Sequence, residues 1–376
     1  MSETTTPLYE AVQAALGTVI DPEIRRPIAE LGMIRDLSID DDGRVSVSIA
    51  LTVSGCPLRD TLEDAVRQAV AQVAGVTDVQ VSMEVMDEKQ RAELGARLRG
   101  GAEEVNPFAD PDCHTAVLAI ASGKGGVGKS SVTVNLAVAL AARGLRVGLL
   151  DADIYGHSIP DMMGVGDTPP TVVDDMLMPV PAHGVAVMSI GMLKESRDQI
   201  IAWRGPMLDR GLAQLLTQVY WGDLDVLLVD MPPGTGDMPM SVARQLPGSS
   251  VIVVTTPQAA AAEVAERAGA LADKMGQHVM GVVENMSYLE TTCPHCGKDH
   301  RVEVFGHGGG TETAAALTRR TGDIVPLLAQ LPLDERLRAG GDCGTPVVLA
   351  APESACAQAI AGLAERLADL PSRKNA

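Results

Sequence analysis

The sequence predicts an α/β fold: a mostly parallel sheet flanked by helices and carrying a phosphate-binding loop, preceded by a small α/β domain. Three observations carry this. From residue 115 onward short apolar runs alternate with helical stretches, the pattern of a parallel sheet covered on both faces. The first of those runs feeds a glycine-rich loop ending in Lys129 and Ser130, which opens a helical stretch over residues 132–143. Finally, 376 residues suit two domains better than one.

Composition narrows the class. Hydrophobic residues make up 46% and aromatic ones only 2%, so Leu, Val, Ala and Met must fill the core. A formal net charge of -19 speaks against nucleic acid or anionic lipid as partner, because phosphate surfaces are bound by dense Lys and Arg. No apolar run approaches the roughly 18 residues of a membrane span. Met1-Ser-Glu-Thr-Thr-Thr6 has neither the basic start nor the apolar segment of a secretory signal, so the expected location is cytoplasmic. In such a reducing compartment, six scattered cysteines read as metal ligands, catalytic thiols or core residues, not as a disulfide framework.

Residues 1–88 are expected to form the small domain, with helices over 8–16 and 58–73 and strands over 44–53 and 76–85. Between its strand and second helix, Ser54-Gly-Cys-Pro-Leu-Arg-Asp60 places Cys56 at a glycine turn before a helix N-terminus, where a thiolate is favoured. Residues 89–114 are charged and contain Gly100-Gly101 and Asn106-Pro107, and read as a linker, helical at first and then irregular. Residues 115–376 form the large domain, with sheet strands expected over 116–122, 146–150, 185–190, 226–229, 250–255 and 279–283, and a last one over 326–331.

In such sheets ligands gather at the carboxyl ends of the strands. The first strand ends in Gly123-Lys-Gly-Gly-Val-Gly-Lys-Ser130, with the spacing G-x-x-x-x-G-K-S. Glycines 123, 125, 126 and 128 let backbone N–H groups close on phosphate oxygens, and the following helix points its positive end at the same anion. Gly123, Lys124, Gly125, Gly126, Val127, Gly128, Lys129, Ser130 and Ser131 are thus candidate nucleotide-binding residues. Lys129 is placed to reach the β- and γ-phosphates, and Ser130 to offer its hydroxyl to Mg2+. The second strand ends in Asp151 and Asp153, two carboxylates able to hold Mg2+ through water or to orient the attacking water. The fourth ends in Asp230-Met-Pro-Pro-Gly-Thr-Gly-Asp237, where Asp230 suits the second half of a phosphate site and Gly234 suits sensing of a γ-phosphate.

Lys124 inside the loop resembles the deviant phosphate loop of the MinD/ParA/nitrogenase-iron-protein class of ATPases. The set Asp151-Ala-Asp-Ile-Tyr-Gly156, Trp203-Arg-Gly-Pro-Met207, Asp230-Met-Pro-Pro-Gly-Thr-Gly-Asp237, Glu284-Asn-Met-Ser287 and Cys293-Pro-His-Cys296 is more specific. It resembles the Mrp/ApbC family of iron-sulfur cluster carriers, a P-loop NTPase fold, and residues 7–86, with Gly55-Cys-Pro-Leu58, resemble the MIP18-like (DUF59) domain fused ahead of many such carriers. His157 departs from the pattern, which has proline there.

The resemblance implies a homodimeric ATPase that passes a [4Fe-4S] cluster to apo-proteins, with neither nucleic acid nor membrane as partner. It implies that Lys124 reaches the partner's nucleotide across the dimer, that Lys129 and Ser130 serve ATP and Mg2+ in cis, and that Asp153 orients the attacking water. Asp230 is implied to support Mg2+ indirectly, and Asn285 to recognise adenine. Cys293 and Cys296 of each subunit are implied to share one cluster.

The residues themselves leave that pair open. Pro294 and Gly297 tighten the turn so that both sulfurs face one ion, but two thiolates complete neither a tetrahedral site nor a cubane cluster. The missing ligands must come from His295, His300, another loop or a second subunit, which a two-fold axis would supply. A zinc turn completed by His300, a thioredoxin-like redox pair and inert packing are the competing readings of the pair. For the whole chain the alternatives are a MinD/ParA-type positioning ATPase with a structural metal turn, and an electron-transfer ATPase.

Overall fold

The computed structural model describes residues 5–53, 58–99, 105–153, 156, 158–193 and 205–368. The Cys56 turn, residues 154, 155 and 157, and Trp203-Arg204 of the sequence motifs lie outside the described residues. The chain divides into two compact units: Met1–Val105 with Pro170–Pro179 and Gln218–Gly222, and Asn106–Pro169 with Val180–Thr217 and Asp223–Ala376.

The first unit begins with α1 (Thr5–Gly17), β1 (Ile34–Ile39), β2 (Arg44–Leu51), α2 (Arg59–Ala71), β3 (Asp78–Val85) and α3 (Glu88–Arg99). Its three-stranded sheet has the order β1-β2-β3, antiparallel between β1 and β2 and parallel between β2 and β3. Helix α2 makes the parallel crossover and buries Leu62, Val66 and Val70, four residues apart on one face. The turn from β1 into β2 is held by Asp40, whose carboxylate accepts from the N–H groups of Asp42 and Arg44. Helix α3 is the helical start of the stretch read from sequence as a linker.

The second unit carries an eight-stranded sheet. Its elements begin with β4 (Ala116–Ser122), α4 (Lys129–Ala142), β5 (Val147–Asp151) and α5 (Ile159–Met162). The chain then makes a short hairpin, β6 (Thr171–Val173) and β7 (Met176–Met178), whose Val173, Met176 and Met178 belong to the core of the first unit. It continues through β8 (Val180–Ala182), β9 (Val185–Ser189), α6 (Gly205–Thr217), β10 (Val226–Asp230), α7 (Asp237–Gln245), β11 (Ser250–Thr255), α8 (Ala259–Lys274) and β12 (His278–Glu284). An outlying hairpin, β13 (Leu289–Thr292) and β14 (Asp299–Val302), precedes α9 (Gly309–Thr321), β15 (Leu327–Gln330), α10 (Glu335–Asp342), α11 (Val347–Ala350) and α12 (Ala355–Ala368).

The strand order is β15-β12-β11-β4-β10-β5-β9-β8, parallel throughout except for β8 against β9. β4 lies near the centre, and β5, β9 and β10 are buried at every position, which is why they read as unbroken apolar runs. Helix α4 packs against this sheet with Val132, Val134, Leu136, Val138 and Leu140 buried. Among the described residues no helix is long and apolar enough to cross a membrane.

Candidate functional site

The phosphate loop joins β4 to α4 at the middle of the sheet. Gly126 and Gly128 take φ of +80° and +79°, a region closed to most residues. Gly123 is packed so tightly that a Cβ there would lie 2.2 Å from the Val264 carbonyl carbon in α8. Gly128, the residue before α4, faces Asn285: a Cβ there would lie 2.2 Å from its Nδ2.

Behind the loop lies a charged cluster. Asp230 and Asp151 end adjacent strands in direct register, and both are fully buried. The Lys129 ammonium, also buried, donates to Asp230 Oδ2 at 2.6 Å. Ser130 Oγ donates to the same oxygen at 2.7 Å, and Thr133 Oγ1 lies 2.7 Å from the other. Asp151 accepts from the Asp153 N–H and from Ser189 Oγ, each at 3.0 Å. These bonds do not offset burial and the neighbouring Asp230 charge, which push its carboxyl up to about 8. One cation thus faces two buried carboxyls, and a proton is held on Asp151 near neutral pH. Thr133 and Ser189 were not singled out in the sequence. Thr133 stands one helical turn past Lys129, and Ser189 is the polar end of an apolar run; both spacings were available signals.

Toward solvent, a cavity of about 190 Å³ is lined by loop residues 124–131 with Ser122, Asp153, Ser158 and Pro233. Lys124 is half-buried there and donates to Gln258 Oε1 at 3.1 Å. Asp153 accepts from the Gly156 N–H at 3.0 Å. Gly234, at φ +91°, donates its N–H to the Ser122 carbonyl at 2.8 Å, folding the segment after β10 over the end of β4.

On the far side of the loop a larger cavity, about 820 Å³, is lined by Gly128, Ser131, Asn285, Met286 and Pro332-Leu-Asp334 among others. Asn285 is 1% exposed; its Nδ2 donates to the Val127 carbonyl at 2.9 Å, while its buried Oδ1 has no hydrogen-bond partner. A buried, unpaired acceptor beside an open cavity suits a ligand donor. Cys343 is exposed on the wall of this cavity, whereas Cys356 is fully buried and its thiol is pushed up to about 12, chiefly by that burial.

Cys293 and Cys296 line neither cavity. They sit at the tip of the β13–β14 hairpin, where Cys293 N–H donates to the Lys298 carbonyl and Gly297, at φ +68°, returns its N–H to the Cys293 carbonyl, both at 2.9 Å. The backbone N–H groups of Cys296 and His295 point at the Cys293 sulfur and hold its thiol below the usual range. A turn that stabilises thiolate is ready for a soft metal. Among the described residues no three His, Cys, Asp or Glu side chains converge on a metal position.

The family model for NUBPL iron-transfer P-loop NTPases matches residues 114–368, a stretch holding the phosphate loop, Asp151, Asp230, Asn285 and both hairpin cysteines. The chain belongs to this family. A second model, for iron-sulfur cluster assembly proteins, matches residues 9–83 in the first unit. The iron-sulfur cluster carrier protein of Mycobacterium tuberculosis (strain H37Rv) is 54% identical over 361 residues, 96% of this chain and 93% of that protein. The protein of the same name from Synechocystis is 40% identical over 363 residues, 96% of each. Among solved structures, the nucleotide-binding protein of Archaeoglobus fulgidus in complex with ADP shares 35% identity at a TM-score of 0.51, over 64% of this chain and 91% of that one. This chain is therefore a P-loop NTPase of the iron-sulfur carrier kind, with the assembly-type domain ahead of it.

Proposed function

We propose that the chain is a cytoplasmic ATPase that, as a homodimer, holds one [4Fe-4S] cluster between its two copies and hands it to apo iron-sulfur proteins. The observation that carries this is the hairpin tip: two thiols, one of them held toward thiolate by backbone N–H groups, with no third ligand among the described residues converging on them. A cubane cluster takes four protein ligands, and a two-fold axis through the pair supplies them.

For the nucleotide, the phosphates lie against the N–H groups of residues 123–131, and Lys129 exchanges part of its contact with Asp230 for the β- and γ-oxygens. The hard oxygens of Ser130 and Asp230, 2.7 Å apart, suit Mg2+, with Ser130 as ligand and Asp230 holding that hydroxyl. Mg2+ held there would supply neutralisation of the charge developing on the phosphates. Asp153 orients the attacking water from the smaller cavity, Lys124 serves the nucleotide of the partner copy, and Asn285 Oδ1 accepts from the adenine amino group. Occupancy of the γ-phosphate site biases the dimer between two packings, and hydrolysis resets it.

Transfer is the test. Cluster-loaded protein mixed with an apo-ferredoxin, with and without Mg-ATP, should lose its cluster to the acceptor. A cluster that stays bound through repeated redox cycles and never moves would exclude the carrier reading.

A further inference from the structure

Glu284 ends β12 and is 1% exposed, yet its carboxylate is fully used. Oε2 accepts from the Gly310 N–H at 2.6 Å. Oε1 accepts from Gln330 Nε2 at 2.8 Å and lies 2.8 Å from Ser287 Oγ. Ser287 and Gly310 are the two ends of the excursion that carries the cysteine hairpin, so one side chain grips both.

The local sequence is built to allow this grip. A Cβ on Gly310 would lie 2.7 Å from Glu284 Cβ, and one on Gly309 would lie 2.6 Å from the carbonyl oxygens of Thr256 and Pro257. The two glycines let the N-terminus of α9 settle directly on the carboxylate, where the helix dipole favours the negative charge. A buried carboxylate is costly unless every oxygen is paired, and an apolar side chain would pack here more cheaply.

The next residue belongs to the nucleotide site. Asn285 N–H donates to the Thr255 carbonyl at 2.9 Å and its side chain donates to Val127 in the phosphate loop, also at 2.9 Å. Ser287 N–H and the Glu284 carbonyl are both bonded to Leu331, which fixes the short segment between the two sites at each end. Asn285 lines the larger cavity with its buried Oδ1 unpaired, so a ligand bound there has an acceptor to engage.

We propose that Glu284 is the positioning residue that ties the cysteine turn to the nucleotide site, so that a change at Asn285 is transmitted to Cys293 and Cys296. The inference rests on the carrier reading for its purpose, but not for its test. Alkylation of the Cys293–Cys296 peptide in metal-free full-length protein is followed by mass spectrometry, without nucleotide and with saturating Mg-ADP. In wild type, nucleotide should change the rate by at least about fivefold, the low end of ordinary coupling between sites. In Glu284→Leu the acceptors of the Gly310 N–H and of Gln330 Nε2 are both removed, so the grip is lost and the ratio should fall below about twofold. Saturation removes any effect of altered affinity. Should Glu284→Leu fail to fold, Ser287→Ala removes the hydroxyl shared between Glu284 Oε1 and the Glu284 carbonyl and should lower the ratio in part. A wild-type rate indifferent to nucleotide, or a full ratio in a folded variant, overturns the proposal. Failure to bind a cluster would sink the carrier reading and leave this ratio standing.

Discussion

Asp151 offers a stability test of the charged cluster behind the phosphate loop. Its carboxyl is fully buried next to Asp230, and burial first and that charge second raise it to about 8, against about 3.9 in an unfolded chain. The folded state therefore keeps a proton that the unfolded state releases near pH 4. Stability from this group is undiminished below about pH 4 and falls as pH rises toward 8, because folding then holds a proton the solvent would take. The gap corresponds to roughly 5 kcal/mol lost once the group ionises. Asp151→Asn removes the ionisation while keeping the bonds: its oxygen accepts from Asp153 N–H and its amide donates to Ser189 Oγ, which turns to accept. Urea denaturation of the nucleotide-free protein, followed by circular dichroism, should show the variant more stable by about 1.5 kcal/mol near pH 5 and by roughly 5 kcal/mol near pH 8.5. A difference that does not grow with pH, or a variant less stable than wild type near pH 8.5, would refute the reasoning.

Three further outcomes follow from the same geometry. Lys129→Ala removes the one cation bonded to Asp230 in this cluster, and phosphate release should fall at least about a hundredfold in a protein that still folds; normal turnover would remove the phosphate-loop assignment. Gly123→Ala drives a Cβ into the α8 backbone and should cost about 1–3 kcal/mol by calorimetry and weaken ADP binding, since α8 must shift to make room. Cys293 should alkylate at a lower pH than an ordinary exposed thiol because backbone N–H groups stabilise its thiolate, and a normal titration midpoint by peptide mapping would show that those bonds do not form in solution.

The parallel sheet was legible because its strands are buried on both faces: the expected runs at 116–122 and 250–255 coincide with β4 and β11, and the others differ by no more than one residue at either end. Alternation also made β2 and β3 legible, but the other strands with exposed positions or only three residues gave no such signal. β1 has no fully buried position, β6, β7 and β8 are three residues each, and β13 and β14 are almost wholly exposed, so the sequence shows the cysteine turn but not the hairpin that carries it. That residues 170–179 and 218–222 complete the first unit depends on tertiary packing that local pattern does not encode. The site divides in the same way. Glycines of the phosphate loop and the strand-end carboxylates announce themselves by spacing, whereas Thr133, Ser189 and the grip of Glu284 depend on partners 26 to 97 residues away in sequence.

Iron and sulfide reconstitution under anaerobic conditions tests the central claim most directly, with metal analysis, Mössbauer spectroscopy and native mass determination on wild type and on the Cys293→Ala, Cys296→Ala double variant. The expected result is about four irons per dimer in wild type and none in the variant, as a cubane bridging two cysteine pairs requires. A monomer that binds zinc alone and ignores iron and sulfide would contradict it, leaving a nucleotide switch with a structural metal turn.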